Sequence, residues 1–264
     1  MGVFPLPQGK IEYTFCEPSI GEAPVFVLLH EGLGSCTMWR DFPEELAQTT
    51  GCGVLAYSRF GYGSSAPASL PRNLKYMNVE GEDVLPLVLE AAGIQRFFLM
   101  GHSDGASIAA IYSGHHDDPL NCGIILMAPH FFTEPEGLAS IERARHAYEA
   151  TDLRARLSRY HEDVDNAFRG WNDAWLDPKF KTWNIERYLP DISVPVLVIQ
   201  GEDDEYGTEK QPDAAKARCK GPVEVQMLAA CGHSPHRDQR EVVLSSVASF
   251  VNRFSGPPKP EGPG

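Results

Sequence analysis

Between Leu99 and Ala109 the chain reads LMGHSDGASIA, which sets three reactive side chains, His102, Ser103 and Asp104, between Gly101 and Gly105. A serine nucleophile at this place implies acyl chemistry, and an aspartate implies opening of an epoxide or displacement of a halide. A third possibility is that none reacts and the chain only binds. Sterics choose among them. A sharp strand-to-helix turn crowds the residues two before and two after its apex against neighbouring backbone. With Ser103 at the apex, the crowded places fall on the two glycines. With Asp104 there, His102 would have to fit one of them, and with His102 there, Met100 would. The spacing therefore selects Ser103. A serine hydroxyl is a poor nucleophile at neutral pH and needs a base, normally a histidine oriented by a carboxylate. GEDDEYG, from Gly201, and CGHSPH, from Cys231, supply both groups downstream, with His233 as the base.

Acyl transfer also needs donors for a developing oxyanion. VLLHEGLGSCTMW offers a Gly-rich turn whose backbone N–H groups can point inward. The expected donors are the N–H groups of Gly32 and of Asp104, both near helix N-termini, where the dipole favours negative charge.

These groups have to be positioned by strands and helices. Near-continuous apolar runs at 24–30, 53–58, 96–101, 122–128, 194–200 and 222–228 read as strands buried on both faces. They alternate with helical stretches at 38–49, 78–92, 103–115, 208–219 and 238–254, the pattern of a mainly parallel twisted sheet with helices on both faces. Residues 10–17 read as antiparallel strands in front of them. The carboxylate and histidine segments each follow a strand's C-terminal end, where open α/β sheets collect their sites. Residues 131–189 break the rhythm, with helical patches and no convincing strand, and are too long for a simple loop. They are expected to form a helical lid on a core made of residues 1–130 and 190–254. The Pro/Gly-rich tail, 255–264, is expected to be disordered.

Composition narrows the partners. Against 23 basic residues stand 36 acidic ones, a formal net charge of −13, which argues against nucleic acid and anionic membrane surfaces. No stretch approaches the roughly 18 apolar residues of a membrane span. Six cysteines without C-x-x-C spacing suggest reduced thiols and a cytoplasmic setting. No metal or organic cofactor is implied: His115-His116-Asp117-Asp118 has poor spacing for one metal centre and reads as a solvated loop.

Four ordered motifs, His30-Glu31-Gly32-Leu33-Gly34, Ser58-Arg59-Phe60-Gly61-Tyr62-Gly63-Ser64, Gly101-His102-Ser103-Asp104-Gly105, and Gly201-Glu202-Asp203-Asp204 with Gly232-His233, give the chain a resemblance to the α/β-hydrolase fold family that extends to about Phe254. The resemblance implies that Asp204, third after the glycine, is the carboxylate partner of His233. Glu134 is the alternative, since some relatives carry the acid after an earlier strand. Two residues depart from the family pattern. Glu31 stands in a turn that commonly reads His-Gly, either as a solvated loop residue, the favoured reading, or as a carboxylate facing the site that would disfavour anionic substrates. Ser58 stands where many relatives have Asp.

The expected protein is a serine hydrolase cleaving carboxylic esters of small to medium acyl substrates. C–C bond cleavage in a β-diketone or ring-cleavage product, lactone or thioester hydrolysis, and a binding protein on a hydrolase scaffold are the alternatives. Glu31, Trp39, His130, Phe131, Trp175 and Tyr206 are candidates to line the substrate pocket. His102 is expected to wedge under the turn, His30 to make buried hydrogen bonds, and His236 to begin the final helix.

Overall fold

In a computed structural model, residues 1–19, 21 and 23–254 are described; the expected tail at 255–264 lies outside them. Eight strands form one sheet: β1 (Gly2–Leu6), β2 (Gly9–Cys16), β3 (Val25–Leu29), β4 (Gly53–Tyr57), β5 (Phe97–His102), β6 (Asn121–Met127), β7 (Val196–Gly201) and β8 (Val223–Leu228). Their order is β1-β2-β4-β3-β5-β6-β7-β8. The first two strands pair antiparallel and join β4 antiparallel, and every other pairing is parallel. The six expected core strands are present to within two residues at each end. The edge strand β1 was not expected, because its residues show no alternation strong enough to mark it. It completes a hairpin with β2.

Side chains alternate between two apolar layers, as a period of two requires. Phe26, Leu28, Phe98, Met100 and Ile125 face one side, under α1 (Phe42–Thr50) and the C-terminal helix. Val27, Leu29, Leu99 and Leu126 face the other. There they meet α2 (Tyr76–Val79), α3 (Leu85–Ala92) and α4 (Asp104–His115). The expected helix at 78–92 is thus two short helices joined by a π-helical turn, Glu80–Val84. Helix α4 is buried along almost its whole length, which suits its small and apolar sequence DGASIAAIYSGH.

Between β6 and β7 the chain forms α5 (Pro135–Ala150), α6 (Leu153–Leu157) and α7 (Val164–Trp175), followed by two short 3₁₀ turns. Asp163 caps α7, its side chain accepting the Asn166 N–H at 3.0 Å, which satisfies one of the helix's orphan donors. Val164, Phe168, Trp171 and Trp175 lie three or four residues apart, so they make one buried stripe. That stripe joins the apolar layer over α4 rather than closing a core of its own. After β7 come α8 (Lys210–Arg218), α9 (Pro235–Asp238) and α10 (Arg240–Phe254).

Candidate active site

The turn from β5 into α4 is as tight as its glycines require. Ser103 sits at φ 55°, ψ −119°, a backbone region that L side chains rarely occupy. Its N–H is held by the Met127 carbonyl at 2.9 Å. A Cβ on Gly101 would collide with the Gly105 carbonyl, and one on Gly105 would collide with the Leu29 carbonyl. Bulk at either place would displace backbone, so Ser103 is the residue at the apex.

The Ser103 hydroxyl donates to His233 Nε2 at 2.9 Å. On the far side of the ring, Nδ1–H donates to Asp204, 2.8 Å from Oδ1 and 3.0 Å from Oδ2. Asp204 also accepts the Tyr206 N–H at 2.8 Å and Gln200 Nε2–H at 2.6 Å. Its side chain is only 1% exposed. Burial opposes its charge, but the hydrogen bond and attraction of His233, with the Tyr206 N–H, outweigh that and hold its carboxyl below the usual range, since contacts that favour the charged form offset lost hydration. Glu134 is occupied elsewhere: its oxygens accept from Thr208 and from Gln211 Nε2. Asp203 is exposed in the adjacent turn.

Next to this series stands the turn after β3. His30 Nδ1–H donates to the Glu31 carbonyl at 2.7 Å, and its Nε2 accepts the Arg59 N–H at 3.1 Å, so the ring is neutral with its proton on Nδ1. The fully buried Arg59 guanidinium grips the His30 carbonyl and, at 3.1 Å, the Glu31 carbonyl. Those two carbonyls are thereby turned towards Arg59. Ser58 links the same region to β2, its hydroxyl donating to Glu12 Oε1 at 2.7 Å and accepting the Cys36 N–H at 2.9 Å. A carboxylate is thus present at Ser58 after all, supplied across the sheet by Glu12.

A cavity of about 260 Å³ opens above Ser103. Gly32, Asp104, His233, Glu31, His130, Trp175 and Tyr206, all singled out in the sequence, line it. Leu33, His102, Ile141, Trp171, Glu205 and Ser234 line it as well and were missed. Trp171 had a signal, since it lies one turn before Trp175 on the same stripe of α7. A Cβ on Gly32 would run into its indole. Two expected lining residues are elsewhere. Trp39 ends a 3₁₀ turn, Cys36–Trp39, that folds it onto the opposite face of the sheet, where it stacks on Phe42 at 5.8 Å and packs on His236. Phe131 is fully buried in the layer shared with the helical insertion, and its N–H donates to Gln211 Oε1 at 2.7 Å.

Electrostatics within the cavity also depart from expectation. Glu31 is not a solvated loop residue: its side chain is 19% exposed and lies 3.6 Å from both His102 and Arg237. Burial opposes its ionisation, but His102, Arg237 and His30 outweigh that and hold the carboxyl well below the usual range. His130, stacked 5.5 Å from the His233 ring, is pushed down to about 3 by burial and by the neighbouring His233. It is neutral at ordinary pH and no rival base. Asp104, the first residue of α4, offers more than its N–H. Its buried carboxylate accepts from the Tyr76 hydroxyl and, at 3.2 Å, from Trp175 Nε1–H. The sequence held no local sign of those partners.

Several known proteins share this arrangement of elements. A solved proline iminopeptidase from Mycobacterium smegmatis superposes with a TM-score of 0.77 at 18% identity, over 96% of this chain and 98% of that one. A carboxylesterase from Bacillus subtilis does so with a TM-score of 0.71 at 21% identity, over 95% and 90%. At such identities the likeness is one of fold. Epoxide hydrolase 3 of Siraitia grosvenorii is 26% identical over 132 residues, which cover 49% of this chain and only 40% of that protein. The model of the alpha/beta hydrolase family matches residues 26–245, most of the chain. The protein belongs to the alpha/beta hydrolase family.

Proposed function

We propose that the protein is a serine hydrolase that cleaves carboxylic esters of small to medium acyl substrates. The observation that carries this reading is the unbroken hydrogen-bonded series Ser103–His233–Asp204, with the serine at the strained apex and facing a cavity. Ser103 Oγ attacks the ester carbonyl carbon while His233 Nε2 takes its proton, and Asp204 holds the ring and stabilises the imidazolium. The tetrahedral oxyanion is received by the N–H groups of Gly32 and Asp104. At the first turn of α4 the Asp104 N–H has no acceptor within the helix, so it is free to serve. His233 then gives its proton to the leaving alcohol, and water, activated by the same ring, releases the acid from the acyl-enzyme.

Serine at the apex favours acyl attack over epoxide opening, which in this family's fold would call for a carboxylate at that place. The cavity's size suits a small acyl group, and the helical insertion at 131–189 acts as the lid that keeps bulk water from it. Six unpaired cysteines support a reducing, cytoplasmic setting.

Turnover of p-nitrophenyl esters of increasing chain length tests the reading. Ser103→Ala is expected to lower kcat by about 10⁴-fold or more while the circular dichroism spectrum stays unchanged. Undiminished turnover by that variant would refute the mechanism.

A further inference from the structure

We propose that Glu31 and His102 form a second carboxylate–imidazolium pair, a positioning device that ties the oxyanion turn, the nucleophile turn and the loop of the base to one another. Its functional part rests on the serine hydrolase reading. Its structural part stands on hydrogen-bond geometry.

His102 is 1% exposed and lies between two polar groups. Its Nε2 is 2.6 Å from the backbone carbonyl of His233. A carbonyl only accepts, so Nε2 carries a proton. On the other side of the ring, Nδ1 is buried without a hydrogen-bond partner and lies 3.6 Å from Glu31 Oε2. If the ring were neutral, the buried Nδ1 would present a lone pair to a carboxylate, an arrangement with repulsion and no compensating hydrogen bond. A second proton on Nδ1 turns that repulsion into an ion pair. The carboxylate is ionised in these surroundings, with Arg237 3.6 Å from its other oxygen.

The remaining titratable groups around His102 leave this assignment intact. His236, edge-on at 4.9 Å, is held neutral chiefly by burial. His130 is neutral through burial and the neighbouring His233. His233, 5.2 Å away ring to ring, is engaged with Asp204 and Ser103.

The placement along the chain gives the pair its role. Glu31 immediately precedes Gly32, and His102 immediately precedes Ser103. The same ring holds the main chain of the base. One pair, its imidazole buried and its carboxylate largely so, therefore fixes the separation of the oxyanion donor, the nucleophile and the imidazole, which acyl transfer needs held to within a fraction of an ångström. Glu31, one of the two departures from the family pattern, is accounted for by this pairing.

Nuclear magnetic resonance of the ¹⁵N-histidine-labelled protein at pH 7 tests the pair directly, the His102 signals being identified by their loss in His102→Gln. The expected result is a ring protonated on both nitrogens in the wild type. An Nδ1 with a free lone pair overturns the proposal, and this arm needs no Glu31 variant to fold and no ester turnover. Kinetics on p-nitrophenyl acetate test the role. Glu31→Gln is expected to lower kcat about tenfold with KM within about twofold. His102→Gln keeps a donor for the His233 carbonyl but removes the charge, and it is expected to fall as far, with the double variant no worse than either single one. Rescue by His102→Gln, or multiplicative losses in the double variant, would reduce the residue to a hydrogen-bond donor and overturn the pair. Absence of any ester turnover in the wild type would count against the hydrolase reading and leave the resonance result to decide the protonation.

Discussion

Asp104 serves the site with two different parts. Its N–H is proposed to receive the oxyanion, while its carboxylate is buried against Tyr76 and Trp175, 28 and 71 residues away in the chain. The first part was legible because it follows from the turn, and the second was not, because nothing local announces partners so distant. The same distinction applies to Glu31, whose direction is set by His102 and Arg237. It applies to Trp39 too, which a single 3₁₀ turn sends to the other face. Ser103 was legible for the opposite reason: the two flanking glycines record a steric demand within five residues. That demand gives a prediction. Gly105→Ala would press a methyl group into the Leu29 carbonyl, and urea denaturation is expected to show a loss of about 2 kcal/mol or more. A variant as stable as the wild type would mean that the turn has room to spare.

Helix α7 brings two indoles to the two residues proposed to hold the oxyanion, Trp171 to Gly32 and Trp175 to Asp104. The insertion is therefore fastened to the very turns proposed to carry the chemistry. The amphipathic spacing of α7 could be read in the sequence, and so could the six parallel strands, because a short, continuous apolar run between turn residues is what a strand covered on both faces requires. The docking of that stripe could not, since it depends on which turn of the core lies beneath it. Gly32→Ala is expected to push Trp171 away and to lower kcat at least tenfold, with a thermal midpoint within a few degrees of the wild type. Unaltered kcat in a folded Gly32→Ala protein would separate the insertion from the site.

Across the molecule, buried histidines contribute to acid lability. His30, His130, His161 and His236 all have their protonation pushed below the ordinary value, with burial the largest cause in each. Each stays neutral when folded and takes up a proton when unfolded, so the unfolded chain binds more protons below about pH 6.5. Stability is expected to be full above that value and to fall as the pH drops, for His130 down to about 3. Each histidine adds up to about 1.4 kcal/mol per pH unit well inside the window. Asp204, held low, contributes stability above the ordinary aspartate value of 3.8 that is lost only at more acid pH, outside the range that matters here. Urea midpoints at pH 7 and pH 5 check this: the wild type is expected to be weaker at pH 5, and His130→Gln to lose less over the same interval. An equal loss in that variant would show that His130 is not among the groups responsible.

The central claim, that Ser103 is a nucleophile activated by His233, is tested most directly by intact-protein mass spectrometry after exposure to a fluorophosphonate. One covalent adduct is expected on the wild type, none on Ser103→Ala, and strongly slowed labelling on His233→Ala. A folded wild type that stays unlabelled, or a Ser103→Ala protein that labels as readily, would contradict the account.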